Sequence, residues 1–448
     1  PHPGDHGAAA RRAAVSTNRP VADAFRPLGH WPTVQAVYHA RYAGSGTMVM
    51  AARVAGPLAP DRLRQALADL VARHSLLGAT LVQGERELGW QEASPKQERD
   101  GTCRVLADPV GSWPEIADQE TADPPAATGP LWRLTLAPAA VPGEQELILT
   151  THHSLLDGRA GVQLLWDLLT AGTGEPGLVH RLARWPLPAP LESRLPAPPP
   201  GAPAGDRPAS GAAPTWPLEG DVTTPRSCRL TEVPLAPGLV PALRLRARLA
   251  GATVQGALLA AVRRVAGLEL GDAPPALSTA VDLRGEAVPR VDLAELGCFM
   301  TMVPTNHPLP VASSFWEEAG RCTRALGAQL QARRSRGWHP RRSPPALLDR
   351  LTAEKIAQAH GLGRFAEGPA LSNLGVVSPP ALPPGVRVKA LRFTSAQTAG
   401  LYPLFLTFAS LGAEASCCLS TTEPLLSRAR AARLARDLSQ ELTEAARP

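Results

Sequence analysis

Lysine is nearly absent: Lys96, Lys355 and Lys389 are the only three in 448 residues. Arginine supplies the rest of the 46 basic side chains, and the formal net charge is only +6. Aromatic residues make up 4% of the chain and stud no basic stripe, so a nucleic-acid partner is not expected. The mildly basic balance is compatible with an acidic partner, but many proteins without one are as basic. No apolar run reaches the ~18 residues that a spanning helix needs, so no spanning helix is expected. Residues 1–20 have no apolar core of the kind a signal peptide carries; they read as a flexible leader. The six cysteines, Cys103, Cys228, Cys298, Cys322, Cys417 and Cys418, form no Cys-x-x-Cys pair. Buried thiols in a reducing, cytoplasmic compartment are the expectation. A Gly-x-Ser-x-Gly elbow is missing too, which removes the serine-hydrolase reading of Ser154.

What the chain does contain is a β/α pattern that occurs twice. Pro60–His74 places Leu63, Ala66, Leu67, Leu70 and Val71 on one helical face. Gly46–Val54, Ala79–Val82, Leu131–Leu136 and Leu147–His152 read as strands, the last two as an antiparallel pair. Val21–Tyr42 shows no clear periodicity. Pro, Ala and Gly crowd residues 186–217, and their centre, 195–214, cannot build a packed core. Beyond it, strands are expected at 228–233, 276–281, 300–304 and 370–377. Residues 386–393 and 404–410 are expected to pair with each other. Helices are expected at 239–249, 253–265, 314–331 and 424–444, with Ser314 and Glu317 placed for a capping box. The division that follows is a leader (1–20), an N-terminal lobe (21–182), a linker (183–226) and a C-terminal lobe (227–448).

The sharpest stretch is Thr151-His152-His153-Ser154-Leu155-Leu156-Asp157-Gly158. An apolar β run precedes it and an amphipathic run, Gly161–Thr170, follows, so it occupies a strand-to-helix turn. Neighbouring side chains on an extended segment point apart, so His152 and His153 cannot both face one ligand. That geometry, and the want of a convincing third ligand, argues against metal. Taken alone, a histidine here is more often packed than reactive.

The octet resembles the HHxxxDG signature of the chloramphenicol-acetyltransferase-like superfamily. That group includes nonribosomal-peptide condensation domains, polyketide-associated acyltransferases and alcohol acetyltransferases. The resemblance implies an α/β fold of two acetyltransferase-like lobes in a V around a central channel. It implies that His153 is the catalytic base and His152 a structural neighbour. It makes Asp157 structural as well, in a buried salt bridge with an arginine of the second lobe, whose setting Arg284 matches. Gly158 fits where a side chain would crowd the turn. Ser372-Asn373-Leu374-Gly375 looks like a phrase of the alcohol-acetyltransferase and polyketide-associated groups. Ser372 and Asn373 are then candidate channel or substrate-binding residues, Asn373 either as a channel or oxyanion group or as a plain turn residue. Gly297 and Phe299 resemble a loop that borders the channel. His74 matches a phrase that closes the first long helix. The condensation domains' DFGWG phrase is absent, and Arg392-Phe393-Thr394-Ser395 stands in that region. The arginines of 333–342 read either as a phosphate or carrier-helix site or as a solvated helix end.

The expected function is a free-standing acyltransferase of natural-product metabolism that binds no permanent cofactor and no metal. A CoA or phosphopantetheine thioester would be the donor substrate. The partners would be an acyl or peptidyl carrier protein, or acyl-CoA, and a small acceptor. Ester formation is favoured over amide formation, and a monomer suffices. The alternatives are an amide-forming condensation enzyme and a catalytically silent recruitment domain.

Overall fold

Alternating apolar residues in the first half build a sheet whose centre carries the histidines. The computed structural model describes residues 25–42, 44–85, 87–92, 102–126, 129–174, 182–197, 199–200, 216–270, 276–307, 314–338 and 344–447. The leader and most of 195–214 therefore lie outside the described residues. A short strand β1 (Arg26–Pro27) leads to helix α1 (His30–Arg41), then β2 (Thr47–Ala55) and α2 (Pro60–Arg73). There follow β3 (Ala79–Gln83), β4 (Leu88–Glu92), β5 (Cys103–Val105), α3 (Trp113–Ala122), β6 (Trp132–Pro138), β7 (Glu144–His152) and α4 (Gly158–Thr173). The expected antiparallel pair is present, with Trp132 opposite Thr151. Helices α2 and α4 bury Leu63, Leu67, Leu70, Leu165, Leu168 and Leu169 in one core with Met48, Met50 and Leu149. Each such side chain contributes about 1.5–3 kcal/mol on burial.

The second half repeats the scheme: β8 (Ser227–Glu232), α5 (Leu239–Leu249), α6 (Val254–Leu270), β9 (Leu277–Asp282), β10 (Met300–Thr305), α7 (Phe315–Arg336) and α8 (Pro345–Gly361). Strands β11 (Ala370–Val377), β12 (Arg387–Ser395), β13 (Phe405–Leu411) and β14 (Glu414–Glu423) precede the final helix α9 (Arg428–Ala446). The capping box of Ser314 and Glu317 opens α7. A sheet of order β10-β9-β11-β13-β14-β8 packs against α5, α6, α7 and α9 around Leu258, Leu406, Phe408 and Leu434. The two ends of the Pro-rich stretch are packed: Leu187, Leu191, Leu195 and Trp216 are all buried.

One expected pairing is corrected. Residues 387–395 do not pair with 405–411; β12 joins the first sheet, in the order β12-β2-β7-β6-β5, antiparallel to β2. Its charge explains the choice. Arg392 pairs in the interior with Glu146 of β7, which also accepts from Arg53 Nε at 2.8 Å, and stacks 5.4 Å from the Trp113 ring. Thr407 Oγ1 of β13 donates to Phe393 O at 2.9 Å, so β12 faces the second sheet without joining it. Helix α1 is also new, because its apolar residues do not gather on one strong face.

Glu146 is fully buried between two arginines. Replacing it with alanine leaves Arg392 buried without its counter-charge. Glu146→Ala is expected to destabilise the protein by about 3–5 kcal/mol in urea denaturation, against under ~1 kcal/mol for the exposed pair of Arg64 and Asp61.

Candidate active site

Strand β7 ends at His152, and α4 begins at Gly158. Asp157 caps α4: its Oδ1 accepts from Ala160 N at 2.9 Å. The same carboxylate receives Arg284 Nη1 on Oδ2 at 2.8 Å and Nη2 on Oδ1 at 3.1 Å. Phe299 N donates to Oδ2 at 2.7 Å, and Asp157 N donates to Gly297 O at 3.1 Å. Burial pushes the Asp157 carboxyl up, but Arg284 and these donors overcome it and hold it below its ordinary value. Arg284 is itself buried, reaches Asp282 Oδ1 at 3.1 Å and lies 4.9 Å from the Phe299 ring centre.

The second sheet opens to receive this turn. Strands β9 and β11 run parallel only at Ala370–Ser278 and Leu371–Thr279. On one side of the opening Arg159 pairs with Asp282 Oδ2 at 3.2 Å. On the other, a register shift between Asn373 and Gly375 takes Leu374 out of the ladder. Leu374 then packs on Gly158, where a Cβ would lie 2.7 Å from Leu374 Cδ2. Asn373 serves the bulge: its Oδ1 accepts from Gly375 N at 2.7 Å, and its Nδ2 donates to Gln255 Oε1 at 3.0 Å. Ser372 is half-buried opposite Thr407 on β13.

The two histidines have different environments. His153 is half-buried, and its Nδ1 lies 2.9 Å from Leu156 O. A carbonyl can only accept, so Nδ1 carries the hydrogen and Nε2 presents a lone pair, with no partner among the described residues. Burial lowers the His153 pKa from its ordinary 6.5, opposed by its backbone bonds and Asp157. His152 is fully buried. Its Nδ1 accepts from Ser154 N at 3.1 Å and lies 2.6 Å from Ser154 Oγ. Burial first, then His39 and His153, holds its pKa well below the ordinary value. His39 of α1 stacks on it with ring centres 4.1 Å apart, a contact that sequence reasoning missed. His74 closes α2, its N donating to Leu70 O at 2.9 Å, and burial with Arg73 pulls its pKa down to about 4.

Among the described residues no three His, Cys, Asp or Glu side chains are grouped as a metal site. Of the expected site residues, the structure gathers His152, His153, Asp157, Gly158, Arg284, Gly297 and Phe299 around one turn, with Asn373 joined to it through Leu374. Arg333–Arg336 form the last turn of α7; residues 339–343 of that basic stretch lie outside the described residues.

No protein-family model matches the chain. Two uncharacterized proteins from strains of Mycobacterium tuberculosis are 33% identical over 129 residues, which is 28% of this chain and 28% of each of theirs. The chain thus aligns with well under two thirds of those relatives' length. The fold matches far more widely. Trichothecene 15-O-acetyltransferase from Fusarium sporotrichioides superposes with a TM-score of 0.68 at 14% identity, over 97% of both chains. Polyketide synthase associated protein 5 from Mycobacterium tuberculosis gives 0.66 at 15% identity, over 95% of this chain and 99% of that one. The first condensation domain of the calcium-dependent antibiotic synthetase gives 0.63 at 17%, over 95% and 97%. The chain shares the fold of these acetyltransferase and condensation-domain structures.

Asp157→Ala, which leaves Arg284 with Asp282 as its remaining acidic partner, is expected to cost about 3 kcal/mol in denaturant unfolding. Because the folded-state pKa of Asp157 is depressed, its contribution is full above the unfolded value of about 4 and is lost as pH falls through the folded value. A stability profile from pH 7 to 2 should therefore fall less steeply for Asp157→Asn than for wild type. Gly158→Ala is expected to lower stability by about 1–3 kcal/mol, and Leu374→Val in the same chain to restore part of it.

Proposed function

We propose that the chain is an acyltransferase of specialised metabolism that moves an acyl group from a CoA or carrier-protein thioester to a hydroxyl or an amine. The observation that carries this reading is the His153 ring. Its Nδ1 is held on Leu156 O, and its Nε2 is unengaged on a half-buried side chain. Such a ring is a base of defined tautomer at neutral pH.

In the reaction, His153 Nε2 accepts the proton of the acceptor hydroxyl as its oxygen attacks the thioester carbonyl. The tetrahedral oxyanion then collapses, the C–S bond breaks, and the departing thiolate takes the proton from His153. The products are an ester and a free thiol, and an amine acceptor gives an amide in the same way. Asp157 takes no part in these transfers; Arg284 keeps it charged, and it supports the turn that carries the base.

The fold neighbours support the class more than the product. One is named as an O-acetyltransferase, another as a polyketide synthase associated protein and a third as a condensation domain. The ester product is preferred because the DFGWG phrase is missing. The place where it would stand is taken by β12, whose Arg392 binds Glu146.

Wild type and His153→Ala, offered acyl-CoAs and acyl-carrier proteins with mixed alcohols and amines, should differ by about a hundredfold or more in product read by mass spectrometry. Equal transfer by both would reduce His153 to a packing residue. Binding of a partner enzyme without any transfer would favour the recruitment reading. With the lowered pKa of His153, kcat should be flat near pH 7 and fall only on an acid limb below 6.5.

A further inference from the structure

Helix α5 turns an uncovered face outward. Its inner side is spent on the second core, where Leu239, Val240 and Leu243 are buried. On the outer side Leu245 is 52% exposed and Leu249, one turn on, is 73% exposed. Arg244 and Arg248 run beside them at the same spacing. Two parallel rows, one cationic and one apolar, therefore share a single face, with members about 6 Å apart along the axis.

The charge on this face is unanswered. No aspartate or glutamate occurs from Val233 to Leu268, whereas arginine stands at 244, 246, 248, 263 and 264. Arg263 and Arg264 find their carboxylates on other helices, in Glu318 and Glu441. Arg244, Arg246 and Arg248 have no acidic partner among the described residues, and Arg246 Nε is buried without a hydrogen bond there. The one bond that Arg244 makes is to a neutral group: its Nη2 donates to Ser410 Oγ of β13 at 3.3 Å. That bond carries the patch onto the sheet. Ser410 stands opposite Val376 of β11, so their side chains leave the sheet on the same side, and Val376 is 55% exposed. Val376 thus lies beside Arg244 and lengthens the apolar row. It is also two residues beyond Leu374, which packs on Gly158, so the patch adjoins the framework of the candidate site.

We propose that this face is a docking surface for an acidic amphipathic helix of a partner protein, with carboxylates and leucines each recurring every four residues. Guanidinium forks match carboxylates in charge and in shape, and Leu245, Leu249 and Val376 supply the apolar seam beside them. The mixing of the two rows argues against a lipid surface. A helix that lies in a membrane interface separates its charged face from its apolar one, whereas here Arg and Leu share the outer face and the opposite face is packed. A protein surface that interleaves acid and leucine answers both rows at once. The inference stands apart from the acyl-transfer reading and neither needs it nor fails with it.

The test probe is a fluorescein-labelled helical peptide of about 18 residues with Glu and Leu at that spacing. It is titrated with the full chain and read by fluorescence anisotropy. Wild type should bind it, with Kd rising about tenfold between roughly 50 and 300 mM NaCl. Arg248→Glu and Leu249→Asp should each weaken binding about tenfold or more. Their thermal midpoints should stay close to wild type, because both side chains are exposed. Arg64→Glu, on an exposed turn of α2, should bind as wild type does. A peptide with Lys in place of Glu should not bind. The inference is overturned if wild type leaves the acidic peptide free, if the α5 variants bind it as well as wild type, or if Arg64→Glu weakens it equally. Co-sedimentation with phosphatidylglycerol vesicles that is lost in the α5 variants, without peptide binding, would overturn it in favour of a membrane.

Discussion

A carboxylate buried in one lobe and a guanidinium buried in the other constrain everything around the candidate site. Taking both charges out of water costs several kcal/mol per ion, and only good geometry with every oxygen occupied offsets it. Asp157 meets that condition with the two Arg284 donors and the backbone of Ala160 and Phe299. Each partner therefore fixes a different piece of chain. Ala160 fixes the start of α4, Phe299 and Gly297 fix the loop before β10, and Arg284 fixes the end of β9. Shifting Ala160, Phe299 or Arg284 would take a donor from a buried carboxylate. The turn that holds His153 inherits that rigidity, which is what a positioned base requires.

The same economy of charge shapes the seam between the sheets. Strand β12 lies beyond the Pro-rich stretch in sequence, yet its ladder is with β2. Arg392 settles the matter, since it would be an unpaired interior ion if β12 stayed with β13, whereas Glu146 would still keep Arg53. Thr394 then meets Ser420, and Thr407 meets the Phe393 carbonyl, so a polar layer joins the two sheets. Together with the Asp157 pair, this ties the lobes at two places with partners that point in fixed directions. Motions that would open the site must break hydrogen bonds at a tie or occur in loops between them.

Legibility in the sequence follows the range of the interactions involved. The β6–β7 pair, α2 and the capping box of α7 depend on neighbours a few residues apart, and local periodicity or spacing exposed them. The octet was legible for another reason: one turn must hold a base, a cap and a close contact, so its residue types are restricted. Helix α1 and the place of β12 were not legible. The contact that joins α1 to the site is His39 on His152, which no hydrophobic count reveals. Arg392 in a strand gives no hint that its partner is Glu146, 246 positions earlier. Leu374 shows the middle case. Its phrase stands out in the sequence, but that a bulge seats it on Gly158 depends on β9 and β11 parting, a fact of the assembled sheet.

Adjacent, chemically identical side chains at 152 and 153 show how much of a site's chemistry lies in its surroundings. His152 spends Nδ1 on Ser154, stacks on His39 and has no exposed surface. Protonating it would place a charge among two other imidazoles in the interior, so it stays neutral and inert. His153 gives its Nδ1 hydrogen to a carbonyl three residues on and keeps Nε2 free. The Leu156 bond excludes the other tautomer, because a carbonyl facing a bare ring nitrogen would leave both lone pairs opposed. One residue thus packs the turn, and the next keeps an unspent basic nitrogen on a half-buried ring. Exchanging their roles would require reversing the pleat of β7, and with it every buried side chain from Leu147 onward.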